Sequence, residues 1–240
     1  MNEMLTLDGV HTHIGRYHIL HGVDLIVPEG EITMLLGRNG AGKTTTLRTI
    51  MGLSPASAGT IMLAARRIEK MATPDIAGLG VGYVPETMAV FSDLTVKENM
   101  ILAAREGPLD DSRLEWIFGF FPALKRFWLS RAGGLSGGQK QMLSIARAIA
   151  EPRKLLLIDE PTKGLAPAIV VALIECFAEI KRRGATILLV EQNFRVAQEV
   201  GDSVFVMDNG KIVHRGAMAD LARDAALQER LLGLSLEAHQ

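Results

Sequence analysis

The stretch GRNGAGKT, residues 37–44, follows the apolar run EITMLL and constrains the fold more than any other feature of this sequence. Glycine lets a backbone turn tightly and lets another group approach it closely. The spacing Gly37-x-x-x-x-Gly42-Lys43-Thr44 is that of a phosphate-binding loop between a strand and a helix. Because the N–H groups of such a loop and of the helix start converge, they bind anions. The sequence therefore predicts an α/β core with an anion site.

Polar or glycine-rich residues follow the ends of four predicted buried strands. They are Gly37, Pro85-Glu86, Asp159-Glu160 and Glu191-Gln192, and they come after LL, YV, LLI and LLV. Unbroken apolar runs separated by helices are typical of parallel strands covered on both faces. In open parallel sheets the ligand crevice lies outside the carboxyl ends of the strands. We therefore expect these four groups to face one place.

Composition indicates an ordinary globular protein. The 240 residues are 48% apolar and 22% charged, which fits one large α/β domain. The net charge of −1 gives no reason to expect a nucleic-acid partner. The longest apolar runs are far shorter than the ~20 residues of a membrane span, so we expect a soluble chain that can dock on a membrane protein. The single cysteine, Cys176, lies in an apolar helical pattern and is predicted to be a core residue.

The middle of the chain changes character. From Ser92 to about Leu129, in SDLTVKENMILAAR and DDSRLEWIFGFF, apolar residues recur at helical spacing. We therefore expect residues 87–149 to form a helical subdomain inserted into a core built from residues 1–86 and 150–216. Residues 217–240 are predicted to form a helical tail. The sequence Asp208-Asn209-Gly210 predicts a hairpin turn.

Two separate elements carry candidate chemistry. In a phosphate-binding loop, Lys43 reaches the β- and γ-phosphates and the Thr44 hydroxyl binds Mg²⁺. The alternative is a glycine-rich turn that only starts a helix. Asp159 ends a buried apolar run, where a carboxylate is costly unless it meets a cation or donors. A Mg²⁺ ion would meet that need, and Glu160 would then be placed to polarise a water molecule.

A third element, LSGGQ at residues 135–139 followed by KQMLSIARAIA, resembles the signature of ATP-binding-cassette (ABC) ATPases. A serine-glycine turn capping a helix is the plain alternative for LSGG alone. The resemblance covers Met4 to about Leu221. It implies an α/β fold with a phosphate-loop core, a mostly parallel sheet, an antiparallel β subdomain and the inserted helical subdomain. It also implies hydrolysis of ATP with Mg²⁺.

The resemblance implies roles for individual residues. ATP would be held by the loop residues Gly37, Arg38, Asn39, Gly40, Ala41, Gly42, Lys43, Thr44 and Thr45. In a head-to-tail dimer, the ATP of the partner subunit would be contacted by Ser136, Gly137, Gly138 and Gln139. Mg²⁺ would be bound by Thr44, Glu86 and Asp159, and the catalytic residues would be Glu160 and Gln192.

Three segments, VPETMAVFSDLTVKEN, EPTKGLAP and LLVEQN, resemble the branched-chain amino acid importer group of this family. In that group Glu86 and Gln192 stand where most cassette ATPases have glutamine and histidine. The resemblance implies transmembrane permease subunits, a solute-binding protein, and a place on the cytoplasmic face of the membrane. It implies a heterodimer with a sibling ATPase, with a homodimer as the alternative. Relatives also handle urea, amides and aromatic acids, and an exporter is a further alternative.

Other classes fit less well. A signalling GTPase reads its base with Asn or Thr-Lys-x-Asp, whereas Thr162-Lys163-Gly164-Leu165 lacks the aspartate. A non-catalytic nucleotide module would not need Lys43, Asp159 and Glu160 together. A DNA-repair ATPase of the same family would carry long coiled-coil insertions.

Two details near the N-terminus stay open. The family places an aromatic residue before a Gly-basic pair to stack on adenine, but here Ile14 precedes Gly15-Arg16, and Tyr17 is the nearest aromatic residue. Either Ile14 packs on the base or Tyr17 supplies the ring. Four histidines at positions 11, 13, 18 and 21 either bind a metal or hold ordinary strand and turn positions. Because no cysteine or carboxylate cluster accompanies them, the second interpretation is favoured.

Overall fold

The computed structural model describes residues 2–104 and 107–233 of the chain. The strands are β1 (Glu3–Ile14), β2 (Tyr17–Pro28), β3 (Ile32–Gly37), β4 (Ala56–Leu63), β5 (Arg66–Arg67), β6 (Val81–Val84), β7 (Leu155–Asp159), β8 (Thr186–Val190), β9 (Ser203–Asp208) and β10 (Lys211–Ala217). The helices are α1 (Lys43–Ile50), α2 (Thr73–Gly78), α3 (Val96–Ile101), α4 (Asp111–Phe120), α5 (Pro122–Arg126), α6 (Gly137–Ala148), α7 (Pro167–Arg182), α8 (Phe194–Val200), α9 (Met218–Arg223) and α10 (Ala225–Leu232).

Six strands form the central sheet in the order β10-β9-β3-β8-β7-β6. Strands β9, β3, β8, β7 and β6 are parallel neighbours, and β10 runs antiparallel to β9. Every residue of β7 and β8 is buried, as the unbroken apolar runs predict. Because these strands are parallel, their carboxyl ends meet at one edge of the sheet, which is the edge where the four polar groups were expected to lie. The turn between β9 and β10 has positive φ at Asn209 (44°) and Gly210 (74°), as the hairpin prediction requires.

A second, antiparallel sheet has the order β2-β1-β4-β5. The apolar stretch GVDLIV, residues 22–27, predicts a strand, but β2 begins earlier, at Tyr17. The reason is that β1 and β2 pair along nearly their whole length and turn at Gly15, where φ is 58°. Local apolar patterning underestimates such a strand, since the residues near the hairpin tip are polar and exposed. This sheet and the central sheet together give the mixed architecture expected from the sequence.

Alternate residues of the central strands face two hydrophobic clusters. Leu156 and Leu189 pack in a cluster with the helices between β6 and β7 and with α7, whereas Leu157 and Leu188 pack in a cluster with α1 and the antiparallel sheet. Burial of one such side chain contributes ~1.5–3 kcal/mol to the stability of the fold. The predicted core position of Cys176 is confirmed, and burial raises the pKa of its thiol to about 12.

Helices α3 to α6 fill the segment between β6 and β7. The helix expected over SDLTVKENMILAAR is shorter than predicted, because Thr95 caps α3 in a reciprocal pair of hydrogen bonds with Glu98 and so fixes its start. Arg105 lies outside the described residues. The short helices α2, α5 and α8 carry too few apolar repeats to be predicted from the sequence. The predicted tail forms α9 and α10, and residues 234–240 lie outside the described residues.

Candidate active site

The loop after β3 turns on glycines. Gly37 has φ of 147°, and a Cβ atom there would lie 2.2 Å from the carbonyl oxygen of Met207. Gly42 has φ of 111°, and a Cβ atom there would lie 3.0 Å from Leu20 and 3.2 Å from the sulfur of Met207. The backbone of β9 therefore requires glycine at position 37, and the positive φ favours glycine at position 42. Because of this loop shape, the N-terminus of α1 points into the space above the loop.

Lys43, the first residue of α1, is 4% exposed. Its Nζ donates hydrogen bonds to the carbonyl oxygens of Gly37 (2.8 Å) and Arg38 (3.1 Å) and lies 3.7 Å from Oε1 of Glu160. Burial lowers the pKa of this ammonium, and the Glu160 carboxylate opposes that effect. The lysine is thus folded back over the loop, with its charge inside the predicted phosphate site.

Asp159 ends β7 and is fully buried, and neither carboxylate oxygen has a hydrogen-bond partner among the described residues. Burial raises the pKa of this carboxyl to about 6. The nearby Thr44 hydroxyl offsets part of that rise without reaching hydrogen-bond geometry. An unpartnered buried carboxylate is costly unless a cation approaches it. Asp159 and Thr44 both offer oxygen ligands, which suits a hard divalent cation such as Mg²⁺.

Glu160 follows directly and has φ of 46°, in the left-handed region that non-glycine residues rarely adopt. Its Oε1 accepts a short hydrogen bond from Nε2 of Gln192, and its Oε2 lies 3.3 Å from Nζ of Lys163. Such a backbone conformation costs ~1–3 kcal/mol and is most often found at functional sites. The structure therefore brings together the two residues predicted to be catalytic.

Glu86 comes just after β6 and forms an ion pair with Lys163, with Oε1 2.7 Å from Nζ. This hydrogen bond, together with the contact to Glu160, raises the pKa of Lys163. The sequence analysis assigned no role to Lys163. The one sequence feature that could have indicated a role for Lys163 is its position three residues after Glu160, in the loop between β7 and α7.

Glu191 was expected at the strand ends that face the crevice, but its role there could not be read from the sequence. It is 2% exposed, and burial raises the pKa of its carboxyl. Its Oε1 accepts from the N–H (3.1 Å) and the hydroxyl (2.7 Å) of Thr162, and its Oε2 accepts from the N–H groups of Gln192 (3.2 Å) and Asn193 (3.4 Å). One carboxylate thus joins the loop after Glu160 to the loop that carries Gln192. A carboxylate directly after the apolar run ILLV was the signal that could have indicated it.

Two adjoining cavities border the phosphate loop. The first has a volume of about 310 Å³ and is lined by Ile19, Asn39, Gly40, Gly42, Lys43, Thr44, Thr45, Glu86, Glu160 and Lys163. The second, of about 230 Å³, is lined by Leu36, Gly37, Arg38, Asn39, Glu191, Gln192, Phe194 and Leu232. The Arg38 guanidinium lies beside Gly233 at the end of α10. All the predicted loop residues except Ala41 therefore line these two cavities, together with Glu86, Glu160 and Gln192, whereas Asp159 lines neither.

The predicted signature residues do not line either cavity. Ser136 caps α6: its hydroxyl accepts from the N–H of Gln139, and the Gln139 side chain accepts from the N–H of Ser136. A Cβ atom at Gly138 would lie 2.3 Å from Ile169 of α7, but one at Gly137 would meet nothing within 4 Å. The atom met at position 138 is the Cδ1 end of a partly exposed side chain, which can rotate away, so packing within the described residues requires glycine at neither position.

Helix α6 also contacts the loop that follows Glu86. The Ser144 hydroxyl donates to the carbonyl of Met88 (2.6 Å), and Arg147 donates to the carbonyl of Ala89. Met88 and Ala89 have φ of 63° and 49°, so this part of the loop adopts a conformation that needs such support. These hydrogen bonds fix the helix that begins at the signature to the loop that follows Glu86, which we call the glutamate loop.

The β1–β2 hairpin lies at the margin of the site. Ile14 is 47% exposed and Tyr17 is 62% exposed, and the Arg16 guanidinium lies 5.4 Å from the centre of the Tyr17 ring. Both candidates for the adenine contact therefore remain accessible. Among the four histidines, His11 and His13 stack on His18, with the His13 and His18 ring centres 4.1 Å apart, and the His21 ring contacts that of His18 at a tilt of 52°. Among the described residues no group of three or more histidine, cysteine or acidic side chains could hold a metal ion by itself.

Comparison with known proteins identifies the class. The sequence profile of the family described as ABC transporter matches residues 20–163. The chain belongs to the ABC transporter family. With this fold and phosphate site it is a nucleotide-binding ATPase of that family. In the described part of the chain, no helix is both long enough and apolar enough to cross a membrane.

Individual relatives narrow the comparison. The chain is 38% identical over 232 residues to the high-affinity branched-chain amino acid transport ATP-binding protein BraG of Pseudomonas aeruginosa, and the match covers 96% of this chain and 100% of that protein. It is 33% identical over 220 residues to a probable branched-chain amino acid transport ATP-binding protein, LivF, of Archaeoglobus fulgidus, and that match covers 90% of this chain and 93% of the relative. The resemblance inferred from the sequence is confirmed at the level of the family.

Solved structures confirm the fold. An ATP-binding subunit of an ABC transporter is 32% identical, with a TM-score of 0.82 over 98% of this chain and 96% of the other. An ATP-binding cassette of an ABC transporter in its ADP conformation is 25% identical, with a TM-score of 0.79 over 98% of this chain and 100% of the other.

Proposed function

We propose that this chain is the ATP-hydrolysing subunit of an importer for branched-chain amino acids. The observation that carries the proposal is the convergence of Lys43, Asp159, Glu160 and Gln192 at the carboxyl ends of parallel strands, beside a glycine loop that can hold phosphate. Similarity to two proteins named for branched-chain amino acid transport supports the substrate class.

Lys43 supplies positive charge for the β- and γ-phosphates. In the structure its ammonium is satisfied by two loop carbonyls, at Gly37 and Arg38. Phosphate oxygens are stronger acceptors than carbonyls because they are charged, so the ammonium exchanges these contacts for the nucleotide. The N–H groups of the loop and of the first turn of α1 bind the remaining phosphate oxygens.

Asp159, Thr44 and Glu86 would hold Mg²⁺. The fit rests on the two buried, unpartnered oxygens of Asp159 and on the Thr44 hydroxyl near them. Mg²⁺ prefers oxygen ligands and keeps several waters, so two or three protein ligands are sufficient. When bound, the ion would neutralise negative charge on the β- and γ-phosphates.

Glu160 is the general base of the proposed reaction, and Gln192 orients it. The Glu160 carboxylate can accept a proton from a water molecule that attacks the γ-phosphate, which contributes ~10²–10⁴ in rate. Gln192 donates a hydrogen bond to that carboxylate and cannot itself titrate near neutral pH. It therefore orients groups and carries no proton.

Ser136, Gly137, Gly138 and Gln139 contact the ATP of a partner subunit in a head-to-tail dimer. Two features support this arrangement: these residues lie outside the cavities of their own chain, and nothing in the described part of this chain requires glycine at position 137. An approaching phosphate would require it, since a side chain there would hold the anion away from the N-terminus of α6. The partner is proposed to be a sibling ATPase, with a second copy of this chain as the alternative.

A groove of about 270 Å³ beside the glutamate loop is proposed to receive a transmembrane permease. Pro85, Met88 and Arg147 are among the residues that line it. Phe91 and Leu102 expose 48% and 58% of their surface on the following segment. Large apolar patches that remain exposed indicate a partner surface. The chain would then lie on the cytoplasmic face of the membrane, and a solute-binding protein would deliver the amino acid to the permease.

The proposal is tested by reconstituting the chain with its sibling ATPase, the permease and the solute-binding protein in proteoliposomes. Uptake of labelled leucine and release of phosphate are measured for the wild type, for Lys43→Ala and for Lys70→Ala, which removes an exposed lysine. We expect Lys43→Ala to abolish both activities and Lys70→Ala to retain both. Hydrolysis that survives Lys43→Ala would overturn the phosphate-loop assignment. Uptake of urea, an amide or an aromatic acid without uptake of leucine would reassign the substrate.

A further inference from the structure

Lys163 lies between two carboxylates that come from different strands. Its Nζ is 2.7 Å from Oε1 of Glu86, after β6, and 3.3 Å from Oε2 of Glu160, after β7. The Lys163 side chain is 57% exposed and that of Glu86 is 42% exposed, whereas that of Glu160 is only 7% exposed. A surface ammonium therefore reaches inward to a nearly buried carboxylate.

The charges around the phosphate cavity explain why this contact matters. Two carboxylates, Glu86 and Glu160, line the cavity proposed to hold the γ-phosphate, and the buried carboxyl of Asp159 lies close enough to feel the charge of both. The cations among the described residues that line the cavity are Lys43 and Lys163. The ammonium of Lys43 is held by the loop carbonyls and forms its ion pair with Glu160, so the ion pair of Glu86 is the one with Lys163.

Without Lys163, the charge of Glu86 next to the γ-phosphate of ATP would be opposed only by the Mg²⁺ ion that Glu86 would help to hold, and by no ion pair from the described part of the chain. Two like charges ~4 Å apart repel strongly at the effective dielectric of a partly buried site. ADP has no γ-phosphate, so the same repulsion acts on it far less. The cost of losing Lys163 should therefore depend on the nucleotide.

We propose that Lys163 is the counter-ion of Glu86 and positions Glu86 and Glu160 so that the site accepts the γ-phosphate of ATP. Lys163 acts through these two carboxylates and is a positioning residue. This inference rests on the proposed binding of ATP at the phosphate loop. It adds that discrimination between the triphosphate and the diphosphate depends on residue 163.

Binding of AMP-PNP, a non-hydrolysable ATP analogue, and of ADP is measured by calorimetry with Mg²⁺ on the full chain. We expect Lys163→Met to weaken AMP-PNP binding about tenfold and ADP binding less than threefold, and Lys163→Arg to retain both affinities because it keeps the charge. In a Glu86→Gln background, Lys163→Met should change AMP-PNP binding by less than threefold, since a neutral residue 86 needs no counter-ion. The matched control is Lys125→Met, which removes an equally exposed lysine from a surface pair with Glu115.

Equal loss of both nucleotides in Lys163→Met would overturn the proposal, because a merely structural lysine would act in that way. A loss of AMP-PNP binding as large in the Glu86→Gln background as with Glu86 in place would overturn it too, because Lys163 would then contact phosphate directly. Thermal unfolding of each variant shows that it is folded, and Lys163→Arg provides the test should Lys163→Met fail to fold. If the wild type bound neither nucleotide, the proposed function would fail. If the wild type bound both and Lys163→Met matched it, only the present inference would fail.

Discussion

Replacing Asp159 by asparagine should stabilise the protein at neutral pH in the absence of nucleotide, while it removes a ligand for Mg²⁺. Asp159 is fully buried without a hydrogen-bond partner among the described residues, and burial raises the pKa of its carboxyl from 3.8 to about 6. The folded state therefore holds the ionised form at a cost that the unfolded chain does not have. Asparagine has nearly the same shape and no charge.

The magnitude follows from the pKa. A difference of about 2 pH units between folded and unfolded states corresponds to ~3 kcal/mol, since one unit is ~1.4 kcal/mol. Because the pKa is higher in the folded state, the folded protein binds more protons. The stability contributed by the neutral carboxyl is fully present below pH 3.8 and is lost as the pH rises through about 6. The difference in unfolding free energy between Asp159→Asn and the wild type should thus grow by up to about 3 kcal/mol from about pH 4 to about pH 7.5.

Urea unfolding at several pH values measures this difference, and Asp93→Asn, which changes an exposed aspartate, is the control. With AMP-PNP present, Mg²⁺ should raise the stability of the wild type, by ~2.7 kcal/mol at a hundredfold excess over Kd, and should add little to Asp159→Asn. A difference that stayed constant with pH would refute the reasoning, because the buried carboxylate would then carry no ionisation cost.

Three further predictions concern the same region. Glu160→Gln should nearly stop turnover and leave ATP binding intact, so that a closed dimer is trapped. Gln192→Ala should lower turnover less, because it removes one neutral hydrogen bond, worth ~0.5–1.5 kcal/mol. Gln192→His should be tolerated. Single-turnover hydrolysis measures the turnover of these variants, and the mass of the protein with ATP shows whether a closed dimer is trapped. Faster turnover of Glu160→Gln than of Gln192→Ala would reassign the base. Glu191→Ala should destabilise the fold by ~3–5 kcal/mol, since it leaves four hydrogen-bond donors on two loops without an acceptor, and it should also lower kcat. Unfolding and ATPase assays that showed neither effect would contradict the bridging role. Gly137→Ala should leave the melting temperature unchanged and reduce hydrolysis, and Gly138→Ala should lower the melting temperature only slightly, because the partly exposed Ile169 side chain can rotate away from the new methyl group. Loss of stability at position 137 would argue against a partner contact there.

The residues that the sequence could place are those with local signals. The glycine spacing after an apolar run is enough to predict the phosphate loop, and the carboxylates after LLI and LLV are enough to predict the edge of the sheet where the ligand binds. These signals depend on neighbours in the chain, so the convergence of the strand ends could be argued before any contact was known. The division of the chain at residues 86/87 and 149/150 stays a prediction.

The contacts that depend on tertiary structure could not be predicted. Lys163 meets Glu86 across 77 residues of sequence, and Glu191 meets Thr162 across 29. No periodicity or spacing records such a pair, because each partner follows a different strand and the sheet order alone makes them neighbours. The same holds for Ser144, whose contact with Met88 spans 56 residues.

The hydrogen bonds of Ser144 and Arg147 fix α6 to the loop after Glu86, so a movement of this loop would tilt the helix. Ser144 and the signature residue Ser136 are eight residues apart, which is ~12 Å along a helix. A tilt of ~5° about the Ser144 contact would therefore move the signature end by ~1 Å. Hydrogen bonds from nitrogen donors function over a range of only ~0.5 Å in donor–acceptor distance, so a rotation this small would be enough to make or break contacts with the phosphate that is proposed to bind there. A small displacement of the loop after Glu86 would in this way change the contacts made at the N-terminus of α6.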